Sequence, residues 1–202
     1  MKEAESEQEL RAPLIEVRLH LQFEAMDASR ERLAFLEQTL PKTETILVGP
    51  ENIELHSTQK VSFGQLRDHW SMTLPMILST LGIDSMKSVS LSYLNEIPLQ
   101  DLRNFQNFVN TNFDMPEALK DRIEFFRTEF TCKYDFGEIK VWLQPDWDDQ
   151  IDGYSIQLNM ESRNAGPVAV DDLIPVIEQM HAGLKDVFRQ IMADDYIRQL
   201  PQ

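Results

Sequence analysis

Cysteine occurs once, at Cys132. A single thiol cannot close an internal disulfide, and without a CxxC partner it offers no redox pair or metal knuckle, so it reads as an idle or buried side chain. Glycine is scarce, with seven in 202 residues, and none falls in a Gly-rich phosphate loop or a GxSxG elbow. That removes the usual backbone cradle for phosphate and the usual seat for a nucleophilic serine. Basic residues are outnumbered: nineteen Lys and Arg face thirty-four Asp and Glu, for a formal charge of −15. The cations are scattered, so neither a nucleic-acid backbone nor an anionic lipid surface finds a basic patch to bind. No run approaches the roughly 18 to 20 apolar residues of a membrane-spanning helix. The start Met1-Lys2-Glu3-Ala4-Glu5-Ser6-Glu7 is the opposite of a signal peptide. A soluble, cytoplasmic protein is the expectation.

Metal-ligand spacing is missing too. His20, His56, His69 and His181 form no HxH or HxxxH pair, which argues against a zinc site. Asp148, Gln150, Asp152 and Gly153 fit positions 1, 3, 5 and 6 of a calcium loop, but the twelfth position is Asn159 where a bidentate Glu is needed. The segment reads as a solvated acidic hairpin loop. No metal, cofactor or catalytic residue is expected.

What is present is pattern. Residues 1–12 carry four glutamates and little to bury, as in a disordered tail. After Pro13, Ile15, Val17, Leu19, Leu21 and Phe23 alternate with polar residues, as a half-buried strand requires. Asp27 or Ser29 caps a helix carrying Leu33, Leu36 and Leu40. Short strands are expected over 45–48, 53–56 and 60–63, with turns between them. Leu66, Trp70, Leu74, Ile77 and Leu81 return at helical spacing, with Pro75 as a kink and Gly82 as a terminator.

The stretch from Ser88 to Ile97 then predicts a central strand, with Val89, Leu91, Tyr93 and Asn95 on one face and Pro98 ending its pairing. Asp101 caps a helix with Leu102, Phe105, Val109 and Phe113. Strands follow over 123–134, 138–143 and 154–161, the last two joined by an acidic loop over 145–153. Asp171 or Asp172 caps a final helix bearing Ile174, Ile177, His181, Leu184, Phe188 and Ile191.

Each half thus reads strand, helix, strands, helix. The fold class is α+β: pseudo-duplicated units forming an antiparallel sheet with helices packed on one face. Residues 13–202 make one domain of two halves, 13–84 and 85–202. From Gln144 to Asp172 seven acidic residues oppose only Arg163, a local excess suited to steering a basic protein partner. Asp146, Trp147, Asp148, Asp149 and Asp152 are the candidate partner-binding residues, with Trp147 as the anchor. Tyr93, Asn95 and His181 are the candidate lining of a pocket between sheet and helices.

Several of these residues also carry a resemblance. The Pro13-Leu14-Ile15-Glu16-Val17 opening, the Trp70 helix, the strand Val89-Ser90-Leu91-Ser92-Tyr93-Leu94-Asn95-Glu96-Ile97 and the ending His181-Ala182-Gly183-Leu184-Lys185-Asp186-Val187-Phe188 resemble a sporadically distributed family of uncharacterised prokaryotic proteins. That family shows a proline-led first strand, a central Arg-Tyr-x-Asn strand and a C-terminal His-x(6)-Phe helix. The match runs from Pro13 to about Tyr196 and departs at Ser92, where the family has arginine. The resemblance brings no activity with it; patchy occurrence implies accessory roles such as defence or toxin neutralisation. The functional expectation is a non-enzymatic, acidic protein-binding protein, as an inhibitor, an antitoxin-like factor or an accessory subunit of a prokaryotic defence system. The alternative is a small-ligand-binding or catalytic domain using the Tyr93, Asn95 and His181 pocket.

Overall fold

The computed structural model describes residues 14–24, 45–58, 62–99, 109, 127–148 and 153–198. Within them, alternating stretches form strands β1 (Leu14–Gln22), β2 (Thr45–Val48), β3 (Asn52–Ser57), β5 (Ser88–Leu99), β6 (Thr128–Tyr134), β7 (Gly137–Asp148) and β8 (Gly153–Asn164). The stretches of helical period form α1 (Phe63–Leu81) and α2 (Leu173–Ile191), followed by a single turn, α3 (Asp194–Ile197). A two-stranded ribbon of β4 (Ser85–Met86) and β9 (Val168–Ala169), which the sequence pattern did not predict, stands apart from the main sheet.

The seven long strands make one antiparallel sheet in the order β2-β3-β1-β5-β8-β7-β6. The strand order is arranged alike on the two sides of the β1–β5 pair. The opening strand of each half, β1 or β5, lies at the centre; the last main-sheet strand of the half, β3 or β8, lies beside it; the strand before that, β2 or β7, lies next. The halves meet where β1 and β5 pair, Val17 opposite Tyr93 and Leu19 opposite Leu91.

One sheet face carries Val17, Leu19, Leu21, Ile53, Leu55, Val89, Leu91, Ile97, Val141, Leu158 and Met160, all buried. Trp70, Leu74, Ile77 and Leu78 of α1 and Ile177, Met180, Leu184 and Phe188 of α2 belong to the same core. Burial of each such side chain contributes roughly 1.5–3 kcal/mol. Gly183 lets α2 come close to the β6–β7 hairpin, since a methyl group there would press on Phe136 and Ile139.

Several boundaries differ from the sequence reading, each for a local reason. Phe63, expected at the end of a strand, is the first residue of α1. The Ser62 side chain accepts from the Gln65 amide while the Gln65 side chain accepts from the Ser62 amide, a capping box that starts the helix. Pro98 does not end β5, and Pro145 lies inside β7 and not in a loop. In both places one ladder ends among the described residues. There β1 pairs β5 no farther than Asn95, and β6 pairs β7 no farther than Leu143. Among the described residues each proline therefore serves a single ladder, as an edge position allows. Asp172 precedes α2 without a side-chain capping bond, because a 3-10 turn, Val170–Asp172, leads into the helix. Pro75 lies within α1, which continues through it to a cap at Gly82 in the left-handed conformation at φ 73°. The expected tail and the helices placed on residues 27–40 and 101–113 lie outside the described residues, apart from Val109, which bridges to Met192.

Candidate functional site

Two elements deliver the interior group. Alternation turns Tyr93 of β5 toward the helices, and the helical stripe of α2 turns His181 toward the sheet. Their side chains meet with Tyr93 Oη 2.6 Å from His181 Nδ1. The phenol donates when Nδ1 holds the lone pair and accepts when it holds the proton. Phe63, placed by the capping box, stacks on the imidazole with centroids 3.7 Å apart and planes 6° apart, and meets Trp70 edge-on. Burial, helped by the Lys185 charge one turn along, pushes the His181 pKa down to about 4. A neutral imidazole under an aromatic lid is the result near neutral pH.

Asn95 shares the face of Tyr93 but donates from Nδ2 to the Leu158 carbonyl at 3.4 Å. Of the three residues expected to line a pocket, the structure joins Tyr93 to His181 and ties Asn95 to β8.

The other sheet face is open to solvent in part: Arg18 and Arg163 keep about half of their side-chain surface exposed, at 54% and 51%, while Ser90 and Ser155 are buried. It carries a cluster that the sequence reading missed. Arg18 donates to both oxygens of Glu16 at 2.8 Å. Glu16 Oε1 lies 3.3 Å from His56 Nδ1, and His56 Nε2 lies 3.0 Å from Glu54 Oε2. Asn52 then lies within reach of both Glu54 and His20. The hydrogen bond from Arg18 holds the Glu16 carboxyl below its ordinary range, and that from His56 does the same for Glu54. Alternation alone puts Glu16, Arg18 and His20 on one face of β1, and Asn52, Glu54 and His56 on one face of β3. The missing signal was the register, Arg18 opposite His56 and His20 opposite Glu54. Both ring nitrogens of His56 face carboxylates, and among the described residues no group of three or more His, Cys, Asp or Glu is arranged to hold a metal ion.

Farther along this face Arg163 pairs with Glu161, and Lys133 and Lys140 pair with Glu138. Charges of both signs thus alternate across it and offset one another.

The acidic segment extends as a hairpin where a loop was expected. β7 and β8 stay in register as far as Asp146 opposite Ser155, Trp147 opposite Tyr154 and Asp148 opposite Gly153. Asp146, Trp147 and Asp148 therefore lie in the part of β7 that runs past its last β6 partner, Leu143. Asp149 and Asp152 lie outside the described residues.

No described helix is long and apolar enough to cross a membrane. No family model matches the chain, and no curated protein does. Among solved structures, a chain described as "KH domains" aligns with 96% of this chain and 66% of its own length, at 6% identity and a TM-score of 0.28; a likeness that low bears on neither fold nor function.

Proposed function

We propose that the chain is a non-enzymatic protein-binding protein whose acidic β7–β8 hairpin engages a basic protein partner, in the role of an inhibitor, an antitoxin-like factor or an accessory subunit of a prokaryotic defence system. The observation that carries this reading is the position of Asp146, Trp147 and Asp148 at the end of a hairpin whose β7 strand runs past its last β6 partner among the described residues. A hairpin backbone held in regular register, with β5 beside β8 as far as Leu99 opposite Tyr154, meets a partner with little ordering cost. Two further observations support it. Within the segment from Gln144 to Asp172 the one cation, Arg163, is already paired with Glu161 on the sheet face, so the other six acids meet no cation of that segment. Tyr93 and Asn95 are committed to His181 and Leu158, which weakens the alternative of a ligand pocket.

The test is co-purification from the source cells, followed by binding of the recovered partner to purified variants. The triple reversal Asp148→Lys, Asp149→Lys and Asp152→Lys is expected to abolish binding, and rising salt to weaken binding of the unaltered chain. Asp171→Lys, outside the hairpin, serves as the charge-matched control for the single reversal Asp148→Lys. A partner that binds the triple variant undiminished, or the absence of any partner, overturns the reading.

A further inference from the structure

At the end of the sheet opposite β2, β6 presents an outer edge with no strand beside it among the described residues. A strand edge is a row of unpaired amides and carbonyls, and natural sheets either blunt it or use it. The edge of β6 is anchored from within. Phe130, Cys132 and Tyr134 pack against the core, and Tyr134 donates to Asp186 of α2 at 3.2 Å. Its other side chains, Glu129, Thr131 and Lys133, are exposed on the solvent-facing side.

The order Thr128-Glu129-Phe130-Thr131-Cys132-Lys133-Tyr134 is self-complementary when read against itself in reverse. We propose that two copies of this chain associate by antiparallel pairing of β6 with β6 across a two-fold axis at Thr131. Glu129 then lies opposite the partner's Lys133, twice by symmetry, and Thr131 lies opposite the partner's Thr131. On the core-facing side Phe130 lies opposite the partner's Cys132, extending the apolar layer from one copy into the next. An isologous contact of this kind closes on itself and does not propagate.

The charges also select the register. Centring the axis on Phe130 sets Arg127 against the partner's Lys133, and centring it on Cys132 sets Glu129 against the partner's Asp135. Both place like charges face to face, which is unfavourable for directly opposed residues. The Thr131 register alone among these three joins opposite charges. Lys133 already reaches Glu138 at 2.7 Å, and Arg127 reaches Glu129 at 3.2 Å. Pairing the two copies therefore links two existing ion pairs without burying an uncompensated charge.

Sedimentation across a concentration series tests this with the full chain. A reversible dimer is expected for the unaltered protein. Glu129→Lys and Lys133→Glu, made singly, turn two attractive pairs into two repulsive ones and are expected to weaken dimerisation about tenfold. The double variant restores opposite charges across the axis and is expected to recover it. Recovery discriminates the interface from a fold defect, because the double variant does not restore the internal Lys133–Glu138 pair. As an independent arm, Thr131→Cys in a Cys132→Ser background is expected to give a disulfide-linked dimer on mild oxidation. A monomer at every concentration, single reversals without effect, or a double variant no better than the singles overturns the proposal, as does the absence of cross-linking in a folded Thr131→Cys chain.

Discussion

Tyr93 Oη and His181 Nδ1 stand 2.6 Å apart and tie the central strand to the last long helix. The contact is largely shielded: Tyr93 is 7% exposed, and Phe63 covers the imidazole. Removing the hydroxyl leaves a ring nitrogen without that partner in a place water reaches poorly. Tyr93→Phe is therefore expected to lower stability by about 1–2 kcal/mol. Urea unfolding checks it, the midpoint falling while the slope stays unchanged.

The same imidazole makes stability depend on pH. Its pKa falls from an ordinary 6.5 to about 4 on folding, chiefly through burial. Between those values the unfolded chain binds a proton that the folded chain refuses. The stabilising contribution is thus complete above about pH 6.5 and is lost as pH falls through about 4, up to roughly 3 kcal/mol in all. Glu16 and Glu54, both held below the ordinary carboxylate range, lose their contributions only as pH falls through their lowered pKa values. Subtracting the stability profile of His181→Phe from that of the unaltered protein is expected to leave a slope confined to the upper window. A flat difference profile would contradict the shift.

At the first residue of β7 the backbone leaves no room for a side chain. Gly137 holds φ at 152°, and a Cβ added there collides with the Arg163 carbonyl on β8, which is backbone and cannot swing aside. Gly137→Ala is expected to cost more than about 2 kcal/mol, by strain and by loosening the β7–β8 ladder. Thermal unfolding measures it. Gly166→Ala, where nothing lies within 4 Å of the added atom, is the control.

Periodicity made the sheet, its inward faces and both long helices legible, because alternation and helical return are recorded in the residues themselves. Strand pairing is not recorded there. Glu16, Arg18, Glu54 and His56 come from segments some forty residues apart along the chain, and only the β1–β3 register makes them neighbours. The prolines misled for a related reason. Whether Pro98 or Pro145 breaks a strand depends on whether a second neighbour is still present, and that is decided by the ends of β1 and β6. Tyr93 and His181 were legible as a pair since each lay on a predicted inward face; Asn95 lay there too, but its amide is taken by a carbonyl that no side-chain pattern reveals.

Ser162 illustrates a cost retained inside that legible core. It lies on the inward face of β8 between Leu91 and Ile139, is fully buried, and its Oγ finds no hydrogen-bond partner. A buried hydroxyl left unpaired is less stable than a methyl in the same space, because its hydrogen bonds to water are lost on folding and nothing replaces them. Ser162→Ala removes one oxygen, so the void it opens is small beside the desolvation it relieves. It is expected to stabilise the protein by about 1 kcal/mol, the reverse of most core truncations. Ser90→Ala provides the contrast: that hydroxyl is equally buried but accepts from Arg163 Nε at 3.4 Å, and its loss is expected to be neutral or destabilising. If chemical denaturation shows Ser162→Ala to be destabilising by more than Ser90→Ala, the Ser162 hydroxyl is satisfied in solution and its burial costs nothing.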